Sequence, residues 1–325
     1  MRTVSLPVVE PGALSRLWTR LYGTNRWLAL SAAAYTILFC VTFILAVVDT
    51  RLVTDAPVWF KPMKFALSSV LYTGTLAWIL SFVESKKFWV KLVGTGTAMI
   101  LLAEVAWIVV QAFRGVRSHF NFTTVVDGAV FSAMGSLIAV AWVFNLIAAV
   151  LLLRQKFSDP VFAWSLRLAL ILTAVGASLG AVMTRPTGEQ LSTMQAGVMP
   201  QFIGAHNVGV ADGGEGLPFT GWSTEGGDLR IAHFIGLHAL QFMPVLGLVV
   251  NQVWGKRVKV RGRTRLIFIG GLGYLGLTLL VLWQALRGQP LLAPDGLTLA
   301  VLGGILLTVV GSAAAVIHAE KRSTD

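Results

Sequence analysis

Eight uninterrupted apolar runs, each close to the length of a bilayer-crossing helix, constrain this chain more than any motif in it. They fall at roughly 27–48, 65–83, 91–113, 128–153, 161–184, 230–254, 265–286 and 296–318. About 20 residues at a rise of about 1.5 Å each cross the hydrocarbon of a membrane. Inside lipid every backbone polar group must be satisfied within the protein, which leaves the helix as the natural conformation for such runs. The expected fold is therefore all-α: a polytopic integral membrane protein with eight transmembrane helices. Composition agrees, since only 13% of the 325 residues are charged, against about 25% in soluble domains. Eleven tryptophans suit a chain with two membrane interfaces. The single Cys40 excludes an intrachain disulfide and a cysteine-based zinc centre.

Lysine and arginine placement sets the expected orientation. With the N-terminus in the cytoplasm, 18 of the 26 basic residues lie on that side against five acids, a net charge of +13. The opposite side is close to neutral, and every alternate loop obeys the rule. Both termini are thus expected in the cytoplasm, and the net charge of +11 is a topology signal that needs no nucleic-acid partner. The setting expected from this is multi-pass insertion in a bacterial plasma membrane, with membrane lipids as partners. Residues 1–26 read as a cytoplasmic segment rather than a cleavable signal. Within them Leu14, Leu17, Trp18, Leu21 and Tyr22 recur at helical spacing opposite Arg16 and Arg20, as in a helix lying on a membrane surface. The membrane domain is expected over 27–318, with a basic cytoplasmic loop at 255–265 and a cytoplasmic tail at 319–325. The one long loop, 185–229, falls on the outer side. Its ten glycines, including Asp212-Gly-Gly-Glu-Gly216, speak against regular structure over much of its length, and its length suggests a lid or binding element.

Several motifs have structural explanations. Gly271-Leu-Gly273-Tyr-Leu-Gly276 spells a dinucleotide fingerprint, but it lies inside an apolar run with no preceding strand. Like Gly128, Ser132 and Ser136, and like Gly176 and Gly180, these small residues let helices approach closely. Asn121-Phe-Thr123 has the glycosylation pattern, on an outer loop.

Polar side chains at depth say more. Glu104 lies ten residues below Arg114, and His238 ten below Asp228. That puts both about 15 Å from the same face. Gln111 and His233 form a shallower pair, and Thr97, Glu104 and Gln111 recur every seven residues along one stripe. An intramembrane carboxyl is costly and marks a site, although a neutral, hydrogen-bonded Glu104 holding helices together would look the same. Glu104 and His238 are the residues expected to handle protons.

Four of the five histidines, His119, His206, His233 and His238, fall on the outer side or in the outer half. His233 and His238 are five apart, about 140° around a helix, so one unbroken helix cannot aim both at one metal. Pro244 removes a helix hydrogen bond near residue 240 and could bend the span below them. Two cofactor chemistries fit such residues. One is haem b held by axial histidines, with outer Lys61, Lys64, Arg114, Arg117, Arg185 and Arg230 binding propionates, lipid phosphates or another anion. The other is copper or zinc at the four histidines with Asp212 or Glu215, and Met183, Met194 and Met199 would favour Cu(I).

Gly176-Ala-Ser178-Leu-Gly180 and Ala232-His233 with Gly236-Leu237 resemble, over about ten residues, pieces of the rhomboid intramembrane serine proteases. The resemblance implies a Ser178–His233 dyad. Leu179 stands where that family has glycine, and the two segments lie in consecutive spans instead of being separated by one.

The leading expectation is a membrane redox protein. It would bind haem or a transition metal through outer histidines and exchange electrons or protons with a quinone or another membrane-soluble substrate. A proton-coupled transporter using Glu104 and His238, and an intramembrane hydrolase using Ser178 and His233 or a metal-activated water, are the alternatives.

Overall fold

The computed structural model describes residues 12–321 and is almost entirely helical. Among the described residues, eight helices are long and apolar enough to cross a membrane: α2 (Arg26–Val48), α3 (Phe60–Leu80), α4 (Lys87–Arg114), α5 (Val125–Arg154), α6 (Pro160–Met183), α8 (Leu229–Trp254), α9 (Val260–Leu286) and α10 (Gly296–Ala319). Two shorter helices, α1 (Ala13–Thr24) and α7 (Gly188–Gln195), lie outside them. All eight apolar runs are helices. The second begins five residues before its run does, because Lys61, Pro62 and Lys64 lower the hydropathy without breaking the helix. Proline is tolerated in a first turn, where its missing N–H has no partner to lose. Of the basic and acidic residues counted toward orientation, Arg2, Glu10, Arg322 and Asp325 lie outside the described residues.

Local chemistry sets the helix ends. Asn25, Thr124, Asp159, Asp228 and Asp295 each cap an N-terminus with a side-chain oxygen that accepts a backbone N–H of the first turn. The amphipathic segment forms α1, which leaves Leu14, Leu17, Trp18 and Tyr22 exposed. Arg20 reaches back to α3, donating to Ser81 Oγ at 2.9 Å and stacking over the Phe82 ring.

The helices pack as two groups. In the first, α2, α3 and α4 pack against one another and α5 lies against α4; in the second, α8 rests on α6 and α9, with α10 outside α9. α5 against α6 and α3 against α8 join the two. The tightest contact is between α6 and α8, where Gly176 and Gly236 meet backbone to backbone. The helix α8 runs unbroken through Pro244.

The long 185–229 connection is more ordered than its glycines suggest. Thr187 and Gln190 form a reciprocal capping box that starts α7. Further on, β3 (Asn207–Val208) pairs antiparallel with β4 (Gly227–Asp228), bringing the end of the loop back to the start of α8. A second two-residue hairpin, β1 (Leu52–Val53) with β2 (Ala56–Pro57), closes the α2–α3 link.

Candidate functional site

The start of α3, the middle of α4, the loop after α4 and the folded 206–230 segment converge at the end of the molecule away from α1. Glu104, on the buried face of α4 and only 4% exposed, points one carboxylate oxygen at His119. The Oε1 to Nε2 distance is 3.6 Å. Glu104 Oε2 has no hydrogen-bond partner among the described residues. The other ring nitrogen of His119, Nδ1, is 3.1 Å from Ser118 Oγ. A hydroxyl both donates and accepts, so Ser118 can serve either tautomer of the imidazole.

An aromatic wall fixes this histidine. Its ring lies against Phe65, Phe120 and Phe131 at centroid distances of 5.9, 6.3 and 6.0 Å. Phe120 sits at φ 62°, a left-handed conformation that costs a bulky residue about 1–3 kcal/mol. The conformation places the Phe120 ring between two imidazoles, since His206 lies on its other side at 4.9 Å. Gly204, itself at φ 105°, has no room for a side chain between Phe120 and the carbonyl of Met183.

His206 is held by Asp212. Its Nδ1 is 2.9 Å from Asp212 Oδ2, while Asp212 Oδ1 accepts the backbone N–H groups of His206 and Asn207 at 2.8 and 2.9 Å. Four charged residues complete the cluster. Lys64 donates to the Thr220 carbonyl at 2.7 Å. Arg230 forms a two-toothed pair with the fully buried Asp228 and donates to the Gly221 carbonyl at 2.6 Å. Lys61 Nζ stands 6.0 Å from the Phe65 centroid, within charge-interaction range of Lys64, Arg230, Glu104 and Asp212.

Burial, followed by the charges of Lys61, His206 and His233, holds the His119 pKa well below its ordinary 6.5. Burial also lowers His206, against the pull of Asp212. For Asp212 burial works upward, but the hydrogen bonds from His206 and from two backbone amides outweigh it and hold the carboxyl at about 2. The sign for stability follows. A histidine kept neutral in the fold is protonated more readily in the unfolded chain, so stability falls as pH drops below the unfolded value of 6.5. The contribution of Asp212 is lost only below its unfolded 3.8. The melting temperature in detergent is therefore expected to decline from pH 6.5 downward, well before carboxylates protonate. His119→Gln should flatten that first decline.

The expected partners are redistributed. Glu104 meets His119, and His238 instead turns to Gln241 of its own helix, Nδ1 to Oε1 at 3.2 Å. Gln241 in turn donates to Thr75 Oγ1 and the Leu71 carbonyl of α3. Equal depth was not enough to pair them, because the Gly176–Gly236 contact draws α8 onto α6, and the helix of the first group that α8 reaches through Gln241 is α3, not α4. Gln111 likewise donates to Asp127 and leaves His233 to the Gly176 carbonyl, 2.8 Å from Nδ1. Five of the six cations expected on the outer side fall into two sets. Arg114 pairs with Asp127 at 2.6 Å and Arg117 stacks over Phe202, while Lys61, Lys64 and Arg230 gather at the Glu104 cluster.

Ser178 donates to Val175 O within its own helix at 2.7 Å, and with His233 facing Gly176 no dyad forms between them. Met194 and Met199 are exposed, and Met183 packs in an apolar cluster with Phe120 and Leu229. Among the described residues no group of three or more His, Cys, Asp or Glu side chains is arranged to hold a metal ion. Sequence reasoning did not find Phe120, whose role depends on a backbone conformation, or the Asp228–Arg230 pair, although Asp at a helix N-cap followed by Arg was a visible signal. The chain matches no family model, and no curated protein or solved structure is significantly similar to it.

Proposed function

We propose that this chain is a multi-pass membrane protein, with its basic loops and both termini in the cytoplasm, that couples proton binding at Glu104 and His119 to the movement of a solute. A bacterial plasma membrane suits the strong basic asymmetry. The carrying observation is the buried Glu104, with one oxygen facing His119 and the other unpaired among the described residues. His119 is neutral at neutral pH, so the pair is not a permanent salt bridge. With Nδ1–H turned to Ser118, the Nε2 lone pair faces Glu104 and favours a protonated carboxyl. With the Ser118 hydroxyl donating to Nδ1, Nε2–H faces Glu104 and favours a carboxylate. A tautomer change in His119 thus accompanies gain or loss of the Glu104 proton, and Lys61, within charge-interaction range, favours the ionised form whenever it is itself protonated. The loop carbonyls of Thr220 and Gly221 accept hydrogen bonds from Lys64 and Arg230, which ties the loop to the cluster, and in this reading the loop is the lid of the site.

Infrared difference spectra of membrane-reconstituted protein test this directly. A carboxyl C=O band is expected to appear and vanish across roughly pH 4 to 9, the range open to buried carboxyls. It should be missing in Glu104→Gln and altered in position or midpoint in His119→Gln. A band that never changes with pH, or one indifferent to His119, would sink the proposal.

Redox chemistry is the second proposal, and one observation favours it. The Nδ1 of His233 is engaged by a backbone carbonyl, which leaves Nε2 free in the manner of a haem- or metal-ligating histidine. Haem b, or copper or zinc with His206, would then serve a quinone or similar membrane-soluble partner. An absorption spectrum and metal analysis of the purified protein decide it: a haem band lost in His233→Ala, or stoichiometric metal, supports this chemistry, and neither removes it.

A further inference from the structure

At the level of Glu104 and below it, three buried polar side chains in the first helix group lack a partner among the described residues for at least one atom. They are Tyr35 Oη in α2, Thr97 Oγ1 in α4 and Asn145 Oδ1 in α5, at 2%, 1% and 3% exposure. Trp107 Nε1, one turn above Glu104, is a fourth such group. A buried polar atom without a partner is costly, and several together in an apolar bundle call for a polar guest.

Their heights follow from contacts elsewhere on the same helices. Asn25 donates from Nδ2 to Thr95 Oγ1 at 3.1 Å and to Lys91 O at 3.4 Å, which fixes α2 beside α4. The two helices run parallel. Tyr35, ten residues beyond Asn25, and Glu104, nine beyond Thr95, therefore stand at one level, about 14 Å along the axes. Gly96 packs on the Phe144 ring, so the next residues, Thr97 and Asn145, share a lower level. Asn145 also reaches Tyr72 Oη of α3 at 3.5 Å. On α4, Thr97 and Glu104 are seven apart, hence within about 20° of one face and about 10 Å in height.

The local sequence Gly94-Thr-Gly-Thr97 builds this arrangement. Its glycines admit the Asn25 and Phe144 side chains against the α4 backbone, and its threonines put hydroxyls beside them. Hydroxyl and amide groups thus recur from Glu104 through Thr97 and Asn145 to Thr95 and Asn25, near the opposite end of the helices.

We infer that this is a hydrated lane through the α2–α5 group, whose ligand is water and which carries the Glu104 proton to the face bearing α1. The inference rests on the proton-handling reading of Glu104. Each lining group is suited to water: Tyr, Thr and Asn both donate and accept, so a water wire can reverse its direction without leaving one unpaired.

Hydroxyl-radical footprinting of the full-length protein in lipid tests it, since radicals generated from bound water label adjacent side chains. Tyr35, Tyr72 and Trp107 are expected to be labelled several-fold above Met243, a readily oxidised residue fully buried in the apolar core. Thr97→Val should reduce labelling at Tyr72 and Tyr35, and Thr97→Ser should restore it, with melting temperature confirming that both variants fold. Labelling of all three aromatic residues no greater than that of Met243 overturns the lane and leaves the Glu104 site standing. Strong labelling together with a Glu104 carboxyl band that never responds to pH overturns the proton-carrying role itself.

Discussion

Asp228→Ala is expected to destabilise the protein by about 3–5 kcal/mol, the range for removing one partner of a buried charge pair. The carboxylate is wholly buried and does three things at once. It pairs with Arg230 through Nε and Nη2, caps α8 by accepting the Arg230 backbone N–H at 3.0 Å, and accepts the Ser223 backbone N–H at 2.9 Å. Removing it strands a half-buried guanidinium beside Lys61 and Lys64, where three cations would then share one end of the molecule. The cap alone accounts for about 1 kcal/mol of the loss. Asp228→Asn keeps an acceptor for the amides but gives up the charge, so its loss should be intermediate. Melting temperature in detergent measures both. Proteolysis within 209–221 should accelerate in Asp228→Ala, because the loop loses its tie to α8. If Asp228→Ala melts with the wild type, this pair does not hold the loop.

The helices were legible because lipid allows few alternatives: an apolar run of the right length must close its own hydrogen bonds. The stripe of Thr97, Glu104 and Gln111 was legible for the same reason, and all three are buried on one face of α4. Partnership was not. Counting residues from a helix end gives depth but not which helix stands beside which, so Glu104 was matched with His238 when the loop histidine His119 meets it. The small-residue spacing at Gly176 and Gly180 announced a close contact without naming its counterpart. Gly236, which fixes where α8 stands, sits in α8 among apolar residues with no comparable partner glycine. Loop structure was least readable of all. The positive φ of Phe120 and the β3–β4 pairing depend on contacts between residues more than eighty or about twenty positions apart. Tyr35 and Asn145 were hidden differently, as single polar groups inside runs whose hydropathy they barely lower.

Gly176→Ala should be the most damaging single-methyl change in the helices, and its sign is opposite to that of the same change elsewhere. A Cβ at 176 would run into the backbone of Gly236 and Leu237, and one at 236 into the backbone of Gly176. No side chain is there to swing aside, so α6 and α8 must part. Overpacking of this kind costs about 1–3 kcal/mol, and separation adds the loss of two bonds between the helices, His233 Nδ1 to Gly176 O and Thr173 Oγ1 to Leu237 O. Gly303 in α10 offers the contrast, since nothing lies within 4 Å of the position its Cβ would take. There alanine removes only the conformational penalty of a helical glycine and should stabilise by up to about 1 kcal/mol. Melting temperatures of the two variants are thus expected to move in opposite directions. Gly176→Leu should fall further than Gly176→Ala, and it should also release His233, which nitrogen NMR of the imidazole reads as loss of a fixed tautomer. Equal shifts in Gly176→Ala and Gly303→Ala would mean that the helices are not in backbone contact, and the position of α8, with His233 and Arg230 on it, would have to be redrawn.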